Sequence, residues 1–239
     1  MSDTVLLIVI LVPCLVTAIV FHEVAHGYVA KALGDPTASE RGRLTLNPLR
    51  HVDPVGTVLV PGALALAGGP VFGWAKPVPV NKWRLRNPHL GMMVVAAAGP
   101  LSNLALAVVG ATTLGLVWVD GADFDPARPL LPLLSSPAGD ALWLASALYF
   151  FMVVNLLIAL VNALPIPPLD GSHIVAGLLP KALRAPWAKL QRFGFVILIA
   201  LIALSWLTGG AWLFHALTVP LLWAIDGFMT LAISVSYLV

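Results

Sequence analysis

Long apolar runs set the terms for this chain. Thr4 to about Leu33, Met92 to Val119 and Ala141 to Leu164 each reach the roughly 20 apolar residues needed to cross a bilayer as a helix. Phe193 to Leu207 with its flanks, and then Ala211 to Val239, add two C-terminal runs. Backbone in hydrocarbon must satisfy its own hydrogen bonds, so such runs fold as helices. Only 10% of the 239 residues are charged while 59% are apolar; an average soluble domain is roughly 25% charged. The expected fold is an all-α polytopic membrane protein, read as a single integral membrane domain over 1–239. A net charge of +2, with no basic stripe interleaved with aromatics, argues against a nucleic-acid partner. The lipid bilayer is an expected partner, and nothing in the sequence sets an oligomeric state. Cys14 is the single cysteine, so no disulfide can form within the chain. The first 20 residues lack a basic leader (Asp3 is the only early charge) and run straight into His22, which predicts an uncleaved span.

Loop charges then predict a topology. The connections 37–54, 73–91 and 181–192 are basic and are expected on the cytoplasmic side; the acidic 120–140 loop is expected outside, as is the N-terminus. The apolar stretch Val55–Phe72 fits this only if it enters and leaves on one face, as a re-entrant hairpin broken at Pro61-Gly62 and Gly68-Gly69-Pro70. Lys76-Pro-Val-Pro-Val80 alternates like a strand, and its prolines restrict it to an edge or a loop.

Near the end of the first run stands His22-Glu23-Val24-Ala25-His26. On a helix this spacing puts both imidazoles on one face, where they can bind one Zn²⁺, and Glu23 can serve as general base on a water activated by the metal. Glu23 and Glu40 are the only glutamates in the chain. His22 lies about 18 residues into its helix, roughly 27 Å from the outer start and so near the cytoplasmic end. The third span also runs inward, and it ends at Pro165-Ile-Pro-Pro-Leu-Asp170-Gly171. Asp170 is therefore expected at the same membrane face, on backbone held extended by the prolines. Two histidines and a carboxylate leave the fourth tetrahedral position for water.

These residues resemble the site-2 proteases, the intramembrane zinc metalloproteases of peptidase family M50. The resemblance rests on His22-Glu23-x-x-His26, on Asn162-x-x-Pro165 leading to Leu169-Asp170-Gly171, and on Gly99-Pro-Leu-Ser-Asn103. Gly42-Arg-Leu-Thr-Leu-Asn-Pro48 and Gly73-Trp-Ala-Lys-Pro-Val-Pro-Val80 are similar to the compact bacterial and archaeal subgroup, which lacks a PDZ domain. The resemblance covers about residues 15–180. It implies a three-helix catalytic core (about 4–180) with a re-entrant segment or short β element, followed by two further membrane helices (about 186–239). It also implies one Zn²⁺ per chain bound by His22, His26 and Asp170, with Glu23 as base. The activity implied is hydrolysis of peptide bonds in or near transmembrane segments of membrane-protein substrates, in the plasma membrane of a bacterium. The rival reading is a silent metal-binding scaffold that holds transmembrane helices without cutting them.

Other polar residues admit two readings each. Asn103, four residues from Gly99, either packs helices through an interhelical hydrogen bond or binds the oxyanion or substrate backbone. Asn162 either caps the third span or acts likewise. His51 with Asp53 is either a second metal pair or an interfacial loop. His173 is either structural or a neighbour of the metal. Asp226, within the last apolar run, must be paired, protonated or facing a cavity.

Overall fold

The computed structural model describes residues 3–66, 73–124, 133–209 and 211–238. Its long helices are α1 (Asp3–Ala32), α4 (Pro88–Leu116), α5 (Trp143–Ala163) and α9 (Ala211–Ser236). Between them lie α2 (Thr37–Glu40), α3 (Val60–Leu66), α6 (Asp170–Leu178), α7 (Lys181–Arg192) and α8 (Gly194–Leu207). Four stretches are long and apolar enough to cross a bilayer: Ile8–Ala32, Pro88–Leu116, Trp143–Ala163 and His215–Ser236. Ile8, Val9, Val12 and Leu15 are exposed on α1, as suits a helix facing hydrocarbon. The molecule is an all-α polytopic membrane protein.

Several expectations change in detail. The run Phe193–Leu207 becomes a helix of 14 residues, about 21 Å long against the roughly 30 Å of a hydrocarbon core. It qualifies as a fifth span only when α7 is counted with it. The last run is one helix that continues through Pro220. Chain breaking at Pro61-Gly62 does not occur: a π-helical turn, Pro54–Leu59, leads into α3, which contains both residues. Pro61 lies inside this continuous helical stretch, and the Gly56 carbonyl five residues before it accepts from Trp74 N–H at 3.1 Å instead. The return limb expected at 67–72 lies outside the described residues. Lys76–Val80 forms no strand; the strands found, β1 (Asp123–Phe124) and β2 (Leu134–Ser135), pair antiparallel within the acidic loop.

The chain divides into two compact units. One comprises 1–18, 100–164 and 195–239. Its apolar core includes Ala107, Ala111 and Leu114 of α4, Met152 and Leu156 of α5 and Ala232 of α9. Within it the fully buried Asn103 donates to Ala18 O (3.0 Å) and to Asn155 Oδ1 (2.8 Å), joining α1, α4 and α5. The other unit comprises 19–99 and 165–194 and holds the second half of α1, the start of α4, α6 and α7. There Ala30, Leu85 and Val95 form a small core with Leu33, Val80 and Met92. Helix α1 ends at Gly34, whose φ of 108° an L side chain rarely adopts, and this turns the chain so that Asp35 N–H donates to Ala30 O at 2.9 Å.

Candidate metal centre

The α1 register puts His22 and His26 one turn apart, with ring centroids 4.6 Å from each other. Asp170 meets them from the first turn of α6. The prolines before it do not hold an extended chain; Leu169 N–H closes a turn onto Ile166 O at 2.8 Å, with a cis Pro167–Pro168 bond inside it. Asp170 Oδ2 lies 3.0 Å from His22 Nε2 and 3.3 Å from His26 Nε2. Among the described residues, these side chains form a group of three with one ligand atom each, all within 4.8 Å of one another.

Chemistry decides what such a group can hold. His26 Nδ1 lies 2.7 Å from Val95 O. A carbonyl only accepts, so Nδ1 carries a proton and Nε2 is the ring atom that faces Asp170. Asp170 Oδ2 is buried and makes no hydrogen bond. Burial raises the Asp170 carboxyl, but hydrogen bonds from the facing His22 and His26 rings, where those rings carry the proton, outweigh it and hold the group at about 2. Two imidazole nitrogens and a carboxylate oxygen this close need a cation among them, a proton or a metal ion. The donor set fits a divalent metal, and the Val95 carbonyl, by accepting from His26 Nδ1, holds that ring with Nε2 turned to the group.

Space for the centre depends on Gly99. A Cβ there would lie 2.5 Å from His26 Nε2 and 2.6 Å from His22 Cε1. Any side chain at 99 would displace both rings.

Glu23, on the next position of α1, accepts from Val78 N–H at 2.7 Å through Oε2. The segment that presents Val78 is clamped on both sides. Arg43 Nη2 donates to Lys76 O at 2.7 Å, Lys76 N–H donates to His51 O at 2.9 Å, and Asn81 N–H donates to Asp35 Oδ2 at 2.6 Å. Asp35 is fully buried and its Oδ1 accepts from both the N–H and the hydroxyl of Thr37. These bonds outweigh the burial that raises its carboxyl, and hold it below the ordinary aspartate range.

Sequence reading missed Asp35, Arg43 and Val78. Asp35 reads as part of a helix stop, Arg43 as one charge in a basic loop, and Val78 contributes only backbone. For Arg43 and His51 the available signal is burial, which a loop assignment hides. Asp53 does not join His51; its Oδ1 caps the turn at Val55 and Gly56. His173 Nδ1 lies 3.4 Å from Gln191 Nε2, and burial depresses its basicity. Asn103 spends both amide hydrogens on Ala18 and Asn155. Asn162 donates once, to Ile158 O at 3.1 Å within α5.

Two histidines and a carboxylate with a second carboxylate alongside, all on helices of a polytopic membrane protein, make a group that could hold a metal ion. The model of peptidase family M50 matches residues 10–205, and the chain belongs to that family. It is 38% identical to YwhC of Bacillus subtilis, provisionally named a zinc metalloprotease, over 80% of this chain and 78% of that one. It is also 29% identical to Rip2 of Mycolicibacterium smegmatis over 76% of this chain, and 30% identical to Rip2 of Mycobacterium tuberculosis over 81%. Both carry the same provisional name, and this chain covers 61% and 65% of their lengths. No solved structure matches.

Proposed function

We propose that this chain is a zinc metallopeptidase that hydrolyses peptide bonds in or beside transmembrane segments of other membrane proteins. The observation that carries the reading is the convergence of His22, His26 and the buried Oδ2 of Asp170, with Glu23 on the same turn of α1. His22, His26 and Asp170 would hold one Zn²⁺. When bound, zinc supplies a Lewis acid for the scissile carbonyl and lowers the pKa of water. Glu23 takes the proton of the attacking water and hands it to the leaving amine; Val78 N–H fixes Oε2 and leaves Oε1 for the proton. Asn162, which keeps an amide hydrogen after its bond to Ile158, is a candidate donor to the oxyanion or substrate backbone; Asn103 serves that role only if it releases one of its two bonds.

Substrate must present an unwound backbone, because a helix hides its carbonyls. Among the described residues the Val78 carbonyl and the Val80 N–H carry no hydrogen bond. They stand beside the Glu23 contact and suit main-chain pairing with an extended substrate segment. The loop charges favour a bacterial plasma membrane orientation with the N-terminus outside and the centre near the cytoplasmic face.

The test is cleavage of a panel of transmembrane substrates by purified protein in detergent, wild type against Glu23→Gln. Loss of a general base lowers the rate by about two to four orders of magnitude. Equal activity in both sinks the mechanism. Absence of cleavage in both favours a scaffold that binds helices without cutting them.

A further inference from the structure

Helix α7 stands apart from the other helices. It is 12 residues long with four basic side chains, about 18 Å against the roughly 30 Å of a hydrocarbon core, so it does not span alone. Its surface divides into three stripes. Arg184, Trp187 and Gln191 are half-buried and face their own unit, where Arg184 Nε donates to Leu179 O at 3.0 Å. Leu183 and Leu190, seven apart, form a second stripe with the helix-capping Phe193, and they are 51%, 43% and 62% exposed. Lys181, Lys189 and Arg192, at spacings of eight and eleven, form the third; all are exposed, and none makes an ion pair among the described residues.

We propose that α7 is a binding surface for anionic phospholipid headgroups, and that it is seated on the turn carrying Asp170. Exposed leucines and a phenylalanine bordering a basic stripe describe a helix lying in the membrane interface, its apolar edge in acyl chains and its cations among headgroups. An acidic protein partner would match the charges but leave Leu183, Leu190 and Phe193 without hydrocarbon. Each exposed Lys or Arg held at an anionic leaflet favours the negative lipid by roughly fivefold, which three residues compound.

The seating gives the lipid an effect beyond attachment. Trp187 Nε1 donates to Ser172 O at 2.9 Å, and Gln191 Nε2 lies 3.3 Å from the same oxygen. Ser172 is fully buried and sits two residues after Asp170 in the first turn of α6. Lipid that fixes α7 therefore fixes the turn that aims the Asp170 carboxylate. The lipid preference itself requires neither zinc nor proteolysis.

The test uses the full chain in nanodiscs, free of metal and substrate. Brominated phosphatidylglycerol and brominated phosphatidylcholine are compared as quenchers of tryptophan fluorescence, with Trp187→Phe subtracting the other tryptophans. We expect phosphatidylglycerol to quench Trp187 several-fold more, and the preference to vanish in a Lys181→Gln/Lys189→Gln/Arg192→Gln variant and to weaken with salt. Equal quenching in the wild type, or a preference that survives the triple change, overturns the surface. Hydrogen exchange of the 170–178 amides should be several-fold slower in phosphatidylglycerol discs. Exchange that does not differ between lipids overturns the link to the Asp170 turn.

Discussion

Val78 N–H donates to Glu23 Oε2 at 2.7 Å, so a backbone amide 55 residues away orients the carboxylate between the two histidines. A hydrogen bond to a charged acceptor contributes about 1.5–3 kcal/mol. Val78→Pro removes that donor together with the buried valine side chain. Its turnover should fall by roughly ten- to a hundredfold with zinc content unchanged, and Val78→Ala, which keeps the N–H, should fall less. Parallel loss in both variants would mean that the side chain matters and the amide does not.

Arg43 holds the same segment from the other side, through Lys76 O at 2.7 Å and Pro77 O at 3.4 Å. Arg43→Gln is expected to lower turnover by about tenfold, one charge-assisted bond, while leaving bound zinc unaltered. Metal analysis and cleavage rates on the same preparation separate this positioning role from simple loss of the metal.

Gly99→Ala puts a methyl against both imidazoles. Zinc affinity should drop by at least about tenfold, the usual cost of misorienting a ligand. Gly62→Ala, where nothing lies within 4 Å of the added carbon, is the control and should bind zinc normally.

Asp35 ties the end of α1 to Asn81, and its carboxyl is depressed in the folded protein. A depressed acid contributes stability above its unfolded value, near pH 4, and loses it as pH falls through the folded value. Thermal unfolding in detergent should therefore show wild-type stability declining below about pH 4. Asp35→Asn should be less stable at neutral pH and should lack this component of the decline.

The buried pair Asn103–Asn155 should couple energetically by about 1 kcal/mol in a double-mutant cycle, in the range of polar contacts between membrane helices. Asn103→Ala that unfolds more easily yet cleaves normally per folded molecule assigns Asn103 to helix packing. A rate loss without a stability loss would return it to the site.

The grouping of His22, His26 and Asp170 was legible because its chemistry is written in side chains. His22 and His26 carry their helical spacing with them, and Asp170 was expected beside them from the direction in which the third apolar run travels. The clamp around Glu23 was illegible because it is made of main chain: Val78, Lys76 and Asn81 act through amides or carbonyls that every residue possesses. Arg43 looked like one more positive-inside charge, yet it is buried. Alternation in Lys76–Val80 imitated a strand, but two of its five residues lack N–H groups, and its bonds go to Glu23, Arg43 and His51 instead of to a ladder. Pro61 misled in the other direction: the helical backbone that begins at Pro54 runs through it, with the Gly56 carbonyl bonded by Trp74 N–H from outside the helix.

The central claim is that Asp170 completes a zinc site begun by His22 and His26. Zinc content of the purified Asp170→Ala protein, measured beside wild type and Glu23→Gln, tests it most directly. The account predicts close to one zinc per chain in wild type and in Glu23→Gln, and an affinity at least about tenfold weaker in Asp170→Ala. Full retention of zinc by Asp170→Ala would contradict it.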